Sequence, residues 1–200
     1  MATTNTATLD RREVVKAVLA KRNDALLVTG LGSSCYDAGA IGDNPLTFYL
    51  WGGMGAAAMM GLGLALAQPK RQVVVLTGDG EMLMGLGALA TIGAQGPKNL
   101  SILVIDNELY SETGMQPTHT SRGVDLAGMA KAANFARTDT VCTTADLDKW
   151  IPKLYQPEGS AFLAIKVSAA RYPMAIRLRD GTHIKNRFRE ALLGAEKAFY

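Results

Sequence analysis

The sequence predicts an α/β protein of three layers, α/β/α, around a mostly parallel β-sheet. Continuous apolar segments such as residues 72–77 and 100–105 have the composition of strands buried on both faces. Segments with the apolar spacing of helices alternate with these strands. Of the 200 residues, 48% are hydrophobic and 20% charged, which excludes a disordered chain. We expect residues 1–200 to form a single domain.

The predicted elements follow one another in an order that suits such a sheet. The first half has a helix over residues 10–21 with Asp10 as its N-cap, strands over 25–29 and 47–50, an apolar helix within 52–67, and a strand over 72–77. The second half has a helix over about 81–95, a strand over 100–105, a polar loop over 106–122, helices near 125–133 and 144–155, a strand near 162–167, and an amphipathic helix over about 184–199.

Composition narrows the possible partners and compartment. The net charge of +3, from 21 basic and 18 acidic residues, gives no argument for nucleic-acid binding. The apolar segment 52–67 is shorter than the roughly 20 residues of a bilayer span, so no membrane segment is expected. Two cysteines, Cys35 and Cys142, do not make a disulfide framework. The low cysteine content predicts a reducing, cytoplasmic location. The polar N-terminal residues, which contain no apolar signal core, agree with this prediction.

Ligands of parallel sheets bind beyond the carboxyl ends of the strands. The informative segments therefore follow Thr29, Leu50, Thr77 and Ile105, and all four are where Gly, Asp or Asn residues gather.

The segment Gly78-Asp79-Gly80 follows a strand and opens a helix. Glycines allow a sharp turn and close approach of a ligand, and the helix N-terminus behind them favours an anion. Asp79 would repel a phosphate unless a cation lies between them, and Mg²⁺ suits carboxylate and phosphate oxygens best. The alternative for this segment alone is that Asp79 only caps the helix.

Asn107 follows the next predicted strand. Adjacent parallel strands would bring Asp79 and Asn107 to the same edge of the sheet, where both could ligate one metal ion. A backbone carbonyl just beyond Asn107 could supply a third ligand. The alternative is that Asn107 simply ends the strand.

This pattern resembles the cofactor motif of thiamine diphosphate-dependent decarboxylases, in which GDG is followed by a helix, a strand and two asparagines. Asp106 stands where many members have the first asparagine, and Tyr110-Ser111 replaces a common Tyr-Gly step. The resemblance implies that Asp79, Asn107 and the Leu109 carbonyl hold Mg²⁺ against the diphosphate. It further implies cofactor contacts from the neighbouring residues Gly78, Gly80, Glu81 and Tyr110.

A second resemblance lies in the segment Gly52-Gly53-Met54. In the family a bulky apolar residue here holds the cofactor in its bent conformation, which implies that role for Met54. Cofactor contacts are implied for Gly52 and Gly53 as well. The same region, residues 53–58, also fits the weak dinucleotide pattern GxGxxA, so an NAD(P)-binding oxidoreductase remains an alternative.

Two further loops match the family. The loop after the first strand implies cofactor contacts from Gly32 and Ser33, with an ordinary strand-to-helix turn as the alternative. Residues 112–118 resemble the family's Gly-Gln-Pro-Thr loop, which implies substrate contacts from Gln116 and Thr118. His119 follows directly and could bind a substrate anion or move a proton, or could be an exposed loop histidine.

The resemblance covers about residues 10–167 and is closest to the diphosphate-binding domain of the sulfopyruvate (β subunit) and phosphonopyruvate decarboxylases. It implies a Mg²⁺-dependent lyase that decarboxylates a small 2-oxo acid. The family's activating glutamate comes from a pyrimidine-binding domain, which these residues do not supply. We therefore expect a partner chain of α type, in an α2β2 or larger assembly.

The sequence is also compatible with other functions. A carboligase similar to acetolactate synthase would share every motif, and a non-catalytic regulatory homologue would too. A basic group after the last strand could bind an acidic substrate or form a solvated helix face. Its members are Arg171, Arg177, Arg179, Lys185, Arg187 and Arg189.

Overall fold

A six-stranded sheet forms the centre of the protein. The structure, a computed structural model, describes residues 7–175 and 178–199. The strands are β1 (Leu26–Thr29), β2 (Thr47–Tyr49), β3 (Val73–Gly78), β4 (Leu100–Asp106), β5 (Leu109–Tyr110), β6 (Gln116–Pro117), β7 (Arg137–Val141) and β8 (Ala161–Lys166). The main sheet has the order β2-β1-β3-β4-β8-β7, and β5 and β6 form a separate antiparallel hairpin. Every pair in the main sheet is parallel, which confirms the predicted fold class.

Helices cover both faces of this sheet. They are α1 (Arg11–Leu19), α2 (Ser33–Ile41), α3 (Ala57–Ala67), α4 (Asp79–Met84), α5 (Ala88–Gln95), α6 (Leu126–Ala132), α7 (Thr144–Leu154) and α8 (Gly181–Leu193). Alternate residues of each strand enter opposite cores: Leu27 and Val74 pack with α1, α2 and α7, whereas Leu26 and Val73 pack with α3, α5 and α6. The three layers follow from this alternation of apolar side chains.

The predicted helix starts agree well with the structure where a side chain caps them. Asp10 accepts hydrogen bonds from the N–H groups of Arg12 and Glu13, as predicted for the N-cap of α1. The apolar segment 52–67 becomes helical only from Ala57, and the residues before it form a loop. None of the helices in the described ranges is long and apolar enough to cross a membrane.

The prediction of one helix over residues 81–95 was wrong. Two helices, α4 and α5, replace it, and Gly85 ends the first of them. Gly85 lies so close to the loop before α3 that an added Cβ would come within 2.3 Å of the Gly55 carbonyl oxygen. The break is therefore a close approach of two backbones, which helical periodicity does not reveal.

Other differences concern short or polar elements. The prediction named neither α2 nor β7, and β7 is an edge strand whose polar sequence has only one buried residue. The polar loop over residues 106–122 contains the β5–β6 hairpin and a 3-10 helix over His119–Arg122. The C-terminal helix begins and ends earlier than predicted, at Gly181 and Leu193.

The topology places a crevice at one edge of the sheet. Strand β1 connects to β2 on one side and β3 connects to β4 on the other, and the helices that follow β1 and β3 pack on opposite faces. In such sheets a crevice opens beyond the carboxyl ends of two neighbouring strands whose connections diverge in this way. The loops after β1 and β3 border this crevice.

Candidate active site

A cavity occupies this crevice and is built from the four segments that the sequence singled out. Its lining includes residues after β1, β2, β3 and β4, together with Arg11 from α1. Nine of the predicted site residues line it: Ser33, Met54, Gly78, Asp79, Gly80, Glu81, Asn107, Leu109 and Tyr110. The remaining ones do not: Gly32, Gly52, Gly53, Gln116, Thr118 and His119.

Asp79 is the first residue of α4 and does not cap the helix with its side chain. The N-cap residue is Gly78, and no side chain caps this helix. The Asp79 carboxylate is 2% exposed and accepts hydrogen bonds from the hydroxyl groups of Thr118, at 2.5 Å, and Thr120, at 3.3 Å. The capping alternative for the Asp79 side chain is therefore wrong, and its role as a metal ligand stays a prediction.

Burial of the Asp79 carboxyl, together with the nearby charge of Asp106, raises its pKa to about 7. In the metal-free chain the folded state then holds this proton more tightly than the unfolded state, whose aspartates titrate near about 4. The free energy of unfolding should therefore fall as pH rises from about 4 to about 7. We expect urea unfolding in EDTA to show this fall for the wild type and a flatter profile for Asp79→Asn. An equally steep fall in the variant would contradict the assignment.

Asn107 lies beside Asp79 at the end of the neighbouring strand. Gly78 pairs with Ile105 in the β3–β4 register, so Asp79 stands level with Asp106 and Asn107 comes one residue later. The Asn107 amide nitrogen donates to Ser111 Oγ at 2.8 Å, and its Oδ1 accepts from the N–H of Leu109 at 3.1 Å. Both bonds fix the amide oxygen on the side of the Leu109 backbone.

The two departures from the family motif have partners of their own. Asp106 pairs in register with Lys166 of β8, whose Nζ lies 2.9 Å from Asp106 Oδ2 and 2.8 Å from Glu108 Oε1. Lys166 thus offsets part of the charge of Asp106, and shares its own charge with Glu108. Ser111, which stands in place of a glycine, accepts the hydrogen bond that orients Asn107.

Tyr110 packs directly on Gly80. An added Cβ at Gly80 would come within 2.5 Å of the Tyr110 ring, so only glycine fits here. This contact between Gly80 and Tyr110 holds the start of α4 against the loop that carries Asn107.

Glu81 lines the cavity, is buried, and links two of its walls. Its Oε2 accepts hydrogen bonds from the N–H of Leu31 at 2.9 Å and from Thr77 Oγ1 at 2.8 Å. An added Cβ at Gly30 would come within 1.6 Å of the same oxygen, so a larger residue there would displace the carboxylate. Burial raises the pKa of Glu81. The carboxyl thus holds the loop after β1 against the start of α4.

Met54 enters the cavity from the loop before α3 and is half-buried. The glycines around it have left-handed backbone, with φ of 70° at Gly53 and 91° at Gly55. Residues with a side chain rarely adopt this backbone conformation, and the two glycines allow the turn that brings Met54 to the cavity. Gly52 and Gly53 are exposed.

The predicted substrate residues are distributed differently from the cofactor residues. Gln116 is exposed, and its amide oxygen accepts a hydrogen bond from Thr113 at 2.9 Å. His119 is exposed in the 3-10 helix. Thr118 is 1% exposed and contacts Asp79 instead of the cavity. Substrate contacts from these three residues stay predictions.

Replacing Thr118 tests its role beneath Asp79. Thr118→Val removes the shorter hydrogen bond to the carboxylate while keeping the shape of the side chain, and the loss of a partner behind a metal ligand typically weakens metal binding about 10- to 100-fold. We expect isothermal titration calorimetry to show a lower affinity of Thr118→Val for Mg²⁺ with thiamine diphosphate. Thr140→Val, at an exposed position on β7, is the matched control. Equal affinities in both variants would exclude this role.

Several contributing residues were missed by the sequence analysis. They are Arg11, which lines the cavity, Thr120 and Ser111, which contact the predicted ligands Asp79 and Asn107, and Lys166, which pairs with Asp106 beside them. All except Ser111 are far from the motif in sequence, and no spacing rule connects them to it. The basic group is partly structural: Arg187 pairs with Asp43 at 2.5 Å, and Arg189 donates to the Ala198 carbonyl. Arg177 lies outside the described residues.

The oxygen donors at this edge fit a Mg²⁺–diphosphate group. A carboxylate, an amide oxygen and a backbone carbonyl are hard ligands of the kind Mg²⁺ prefers, with phosphate oxygens and water completing the shell. Within the described ranges no group of three or more His, Cys, Asp or Glu side chains could hold a metal ion. That finding agrees with a site in which only one protein ligand is acidic.

Comparison with known proteins decides the family. The family model of thiamine pyrophosphate enzymes, for their C-terminal TPP binding domain, matches residues 32–165. The chain belongs to the thiamine pyrophosphate enzymes. The predicted resemblance is confirmed, and the matched region contains every cavity residue except Arg11 and Leu31. Thiamine diphosphate is the cofactor of this family, and Mg²⁺ is its usual metal.

Two relatives are similar to this chain in sequence, and one solved structure is similar to it in fold. Sulfopyruvate decarboxylase subunit beta of Methanothermobacter thermautotrophicus is 36% identical to this chain, and the match covers 94% of this chain and 97% of the relative's sequence. Phosphonopyruvate decarboxylase of Streptomyces viridochromogenes is 46% identical over 62% of this chain but only 30% of its own. The structure of benzoylformate decarboxylase from Polynucleobacter necessarius superimposes with a TM-score of 0.66 at 21% identity, covering 87% of this chain and 36% of that chain, which supports the fold.

The family also removes the main alternative cofactor. A dinucleotide-binding site needs an acid at the end of the strand after the glycine pattern, free to bind a ribose. The acid at that place is Asp79, which is buried and bonded to Thr118 and Thr120. The GxGxxA match over residues 53–58 therefore describes a thiamine pyrophosphate enzyme loop and not an NAD(P) site.

Proposed function

We propose that this chain is the diphosphate-binding, β-type subunit of a thiamine diphosphate- and Mg²⁺-dependent decarboxylase of 2-oxo acids that carry a sulfonate or phosphonate. The observation that carries the proposal is the 36% identity to a sulfopyruvate decarboxylase subunit beta along nearly the whole of both chains. The arrangement of Asp79 and Asn107 at the carboxyl ends of β3 and β4 supports it.

The chain's own residues would bind and orient the cofactor. Asp79, Asn107 and the Leu109 carbonyl would hold Mg²⁺, and Ser33 with the start of α2 would meet the diphosphate. Met54 would support the bent conformation of the cofactor. When bound, thiamine diphosphate supplies the electron sink that decarboxylation of a 2-oxo acid requires.

The activating carboxylate is proposed to come from a second chain. Relatives are named as beta subunits, which supports an α-type partner with a pyrimidine-binding domain. The acids that line the cavity have other contacts: Glu81 links two of its walls, and Glu112 accepts from the Tyr36 hydroxyl at 3.2 Å. We propose an α2β2 or larger assembly, in which this chain contributes one domain.

Co-expression with the α-type chain tests the proposal. We expect the two chains to co-purify and to release carbon dioxide from sulfopyruvate or phosphonopyruvate only together, and only with thiamine diphosphate and Mg²⁺. Product analysis with pyruvate and an aldehyde acceptor separates decarboxylation from carboligation. Full activity of this chain alone would refute the two-chain site.

A further inference from the structure

A second cavity adjoins the cofactor cavity, and Arg11 lies where the two meet. Both cavities are lined by Arg11, Ser33, Ser111, Glu112 and Thr113. Met54 and the Gly78–Gly80 turn line only the first cavity. The Arg11 side chain therefore stands at the end of the cofactor cavity that opens into its neighbour, beside the start of α2.

The charge of Arg11 is incompletely balanced by the protein around it. Asp37, fully buried on α2, faces two guanidinium groups. Arg12 Nε donates to Asp37 Oδ1 at 3.0 Å, whereas Arg11 Nη1 lies 3.2 Å from Oδ2 without the geometry of a hydrogen bond. Arg11 Nε has no hydrogen-bond partner among the described residues. One carboxylate thus serves two cations.

This arrangement is unusual because Arg11 is only 4% exposed. A buried charge is costly unless it is paired and hydrogen-bonded. Two further acids act on Arg11 from nearby: Asp10, whose Oδ1 caps the start of α1, and Glu112, which is exposed and bonded to Tyr36. The ring of Tyr172 lies 5.1 Å from the Arg11 guanidinium carbon. None of these groups accepts a hydrogen bond from Arg11 Nε. A buried cation that lines a cavity and has an unused donor indicates an anion that binds there.

The start of α2 supplies a second group of donors at the same place. Its N-cap residue is Gly32, and no side chain accepts from the N–H groups of the first turn. Ser33 and Ser34, the first residues of α2, line the cofactor cavity beside Arg11. Backbone N–H groups at a helix N-terminus next to a guanidinium group form a site suited to a phosphate.

We propose that Arg11 binds the terminal phosphate of the cofactor, so that α1 contributes a cation to the diphosphate site. The inference rests on the proposed function. It makes Arg11 a binding residue that distinguishes thiamine diphosphate from thiamine monophosphate, because only the former reaches the end of the cavity. An acidic group on the substrate would be the other source of an anion at this position, and the experiment separates the two.

The test measures dissociation constants of the full chain, co-purified with its partner where the pair forms, for the two thiamine phosphates with Mg²⁺. We expect Arg11→Met to lower the preference for the diphosphate about 10- to 100-fold, as the loss of charge-assisted hydrogen bonds does. Arg12→Met is the matched control, since Arg12 shares Asp37 but lines neither cavity. The control should keep the wild-type preference within about twofold.

A second variant covers the case in which Arg11→Met does not fold. Arg11→Met/Asp37→Asn removes the buried pair as a unit and leaves no unpaired carboxylate, and it should show the same loss of preference. An unchanged preference for the diphosphate in a folded Arg11 variant would overturn the proposal. If the KM for the 2-oxo acid rose while that preference stayed unchanged, Arg11 would bind the substrate and the proposal would be overturned as well. Failure of the wild type to bind thiamine diphosphate at all would overturn the proposed function together with it.

Discussion

Asp79→Asn should abolish the Mg²⁺-dependent binding of thiamine diphosphate while leaving the fold intact. The change keeps the shape of the side chain but removes the negative charge that attracts the ion. Loss of a residue behind a metal ligand already weakens binding about 10- to 100-fold, so the loss of this ligand should exceed about 100-fold. Isothermal titration calorimetry with and without Mg²⁺ measures the effect.

The control for this prediction is another acid on the same chain. Asp146 is half-exposed on α7 and does not line the cavity, and Asp146→Asn should bind as the wild type does. Circular dichroism of both variants checks that the fold is retained. Wild-type affinity in Asp79→Asn would remove Asp79 from the metal site.

Glu81→Ala should destabilise the chain by about 3 kcal/mol. The variant leaves the Leu31 N–H and the Thr77 hydroxyl without their acceptor in a buried setting, and each such loss costs about 1–3 kcal/mol. It should also loosen the loop after β1, so that thiamine diphosphate binds less tightly. Urea unfolding gives the first effect and calorimetry the second.

Two further variants serve as controls for Glu81→Ala. Glu81→Gln keeps one carbonyl acceptor and should lose less stability than Glu81→Ala. Glu13→Ala removes a glutamate whose side chain is 69% exposed on α1 and should stay within about 0.5 kcal/mol of the wild type. If Glu81→Ala and Glu13→Ala were equally stable, the link between α4 and the loop after β1 would contribute nothing.

The sequence was sufficient for the fold class and for the centre of the site. Strands β3 and β4 are largely apolar segments that end at glycine, aspartate and asparagine, so their positions and their common edge were predictable. The residues of the motif follow those strands directly, and their meeting in one cavity is a consequence of parallel pairing.

Sequence reasoning failed where distant residues decide the structure. Gly85 interrupts a helical pattern because the Gly55 backbone lies against it, and β7 is polar because it is an edge strand. The support that Thr118 gives to Asp79 depends on how the loop after β4 folds back. Arg11 lines the cavity from α1, and the sequence of α1 has only the apolar spacing of an amphipathic helix, which does not indicate a ligand-binding residue.

A crystal structure of the chain with its partner, grown with thiamine diphosphate and Mn²⁺ in place of Mg²⁺, tests the central claim most directly. The anomalous signal of manganese locates the ion independently of the surrounding atoms. We predict one peak bounded by the Asp79 carboxylate, the Asn107 amide oxygen and the Leu109 carbonyl, with diphosphate oxygens completing its shell. An ion held elsewhere, or cofactor density away from these strand ends, would contradict the assignment.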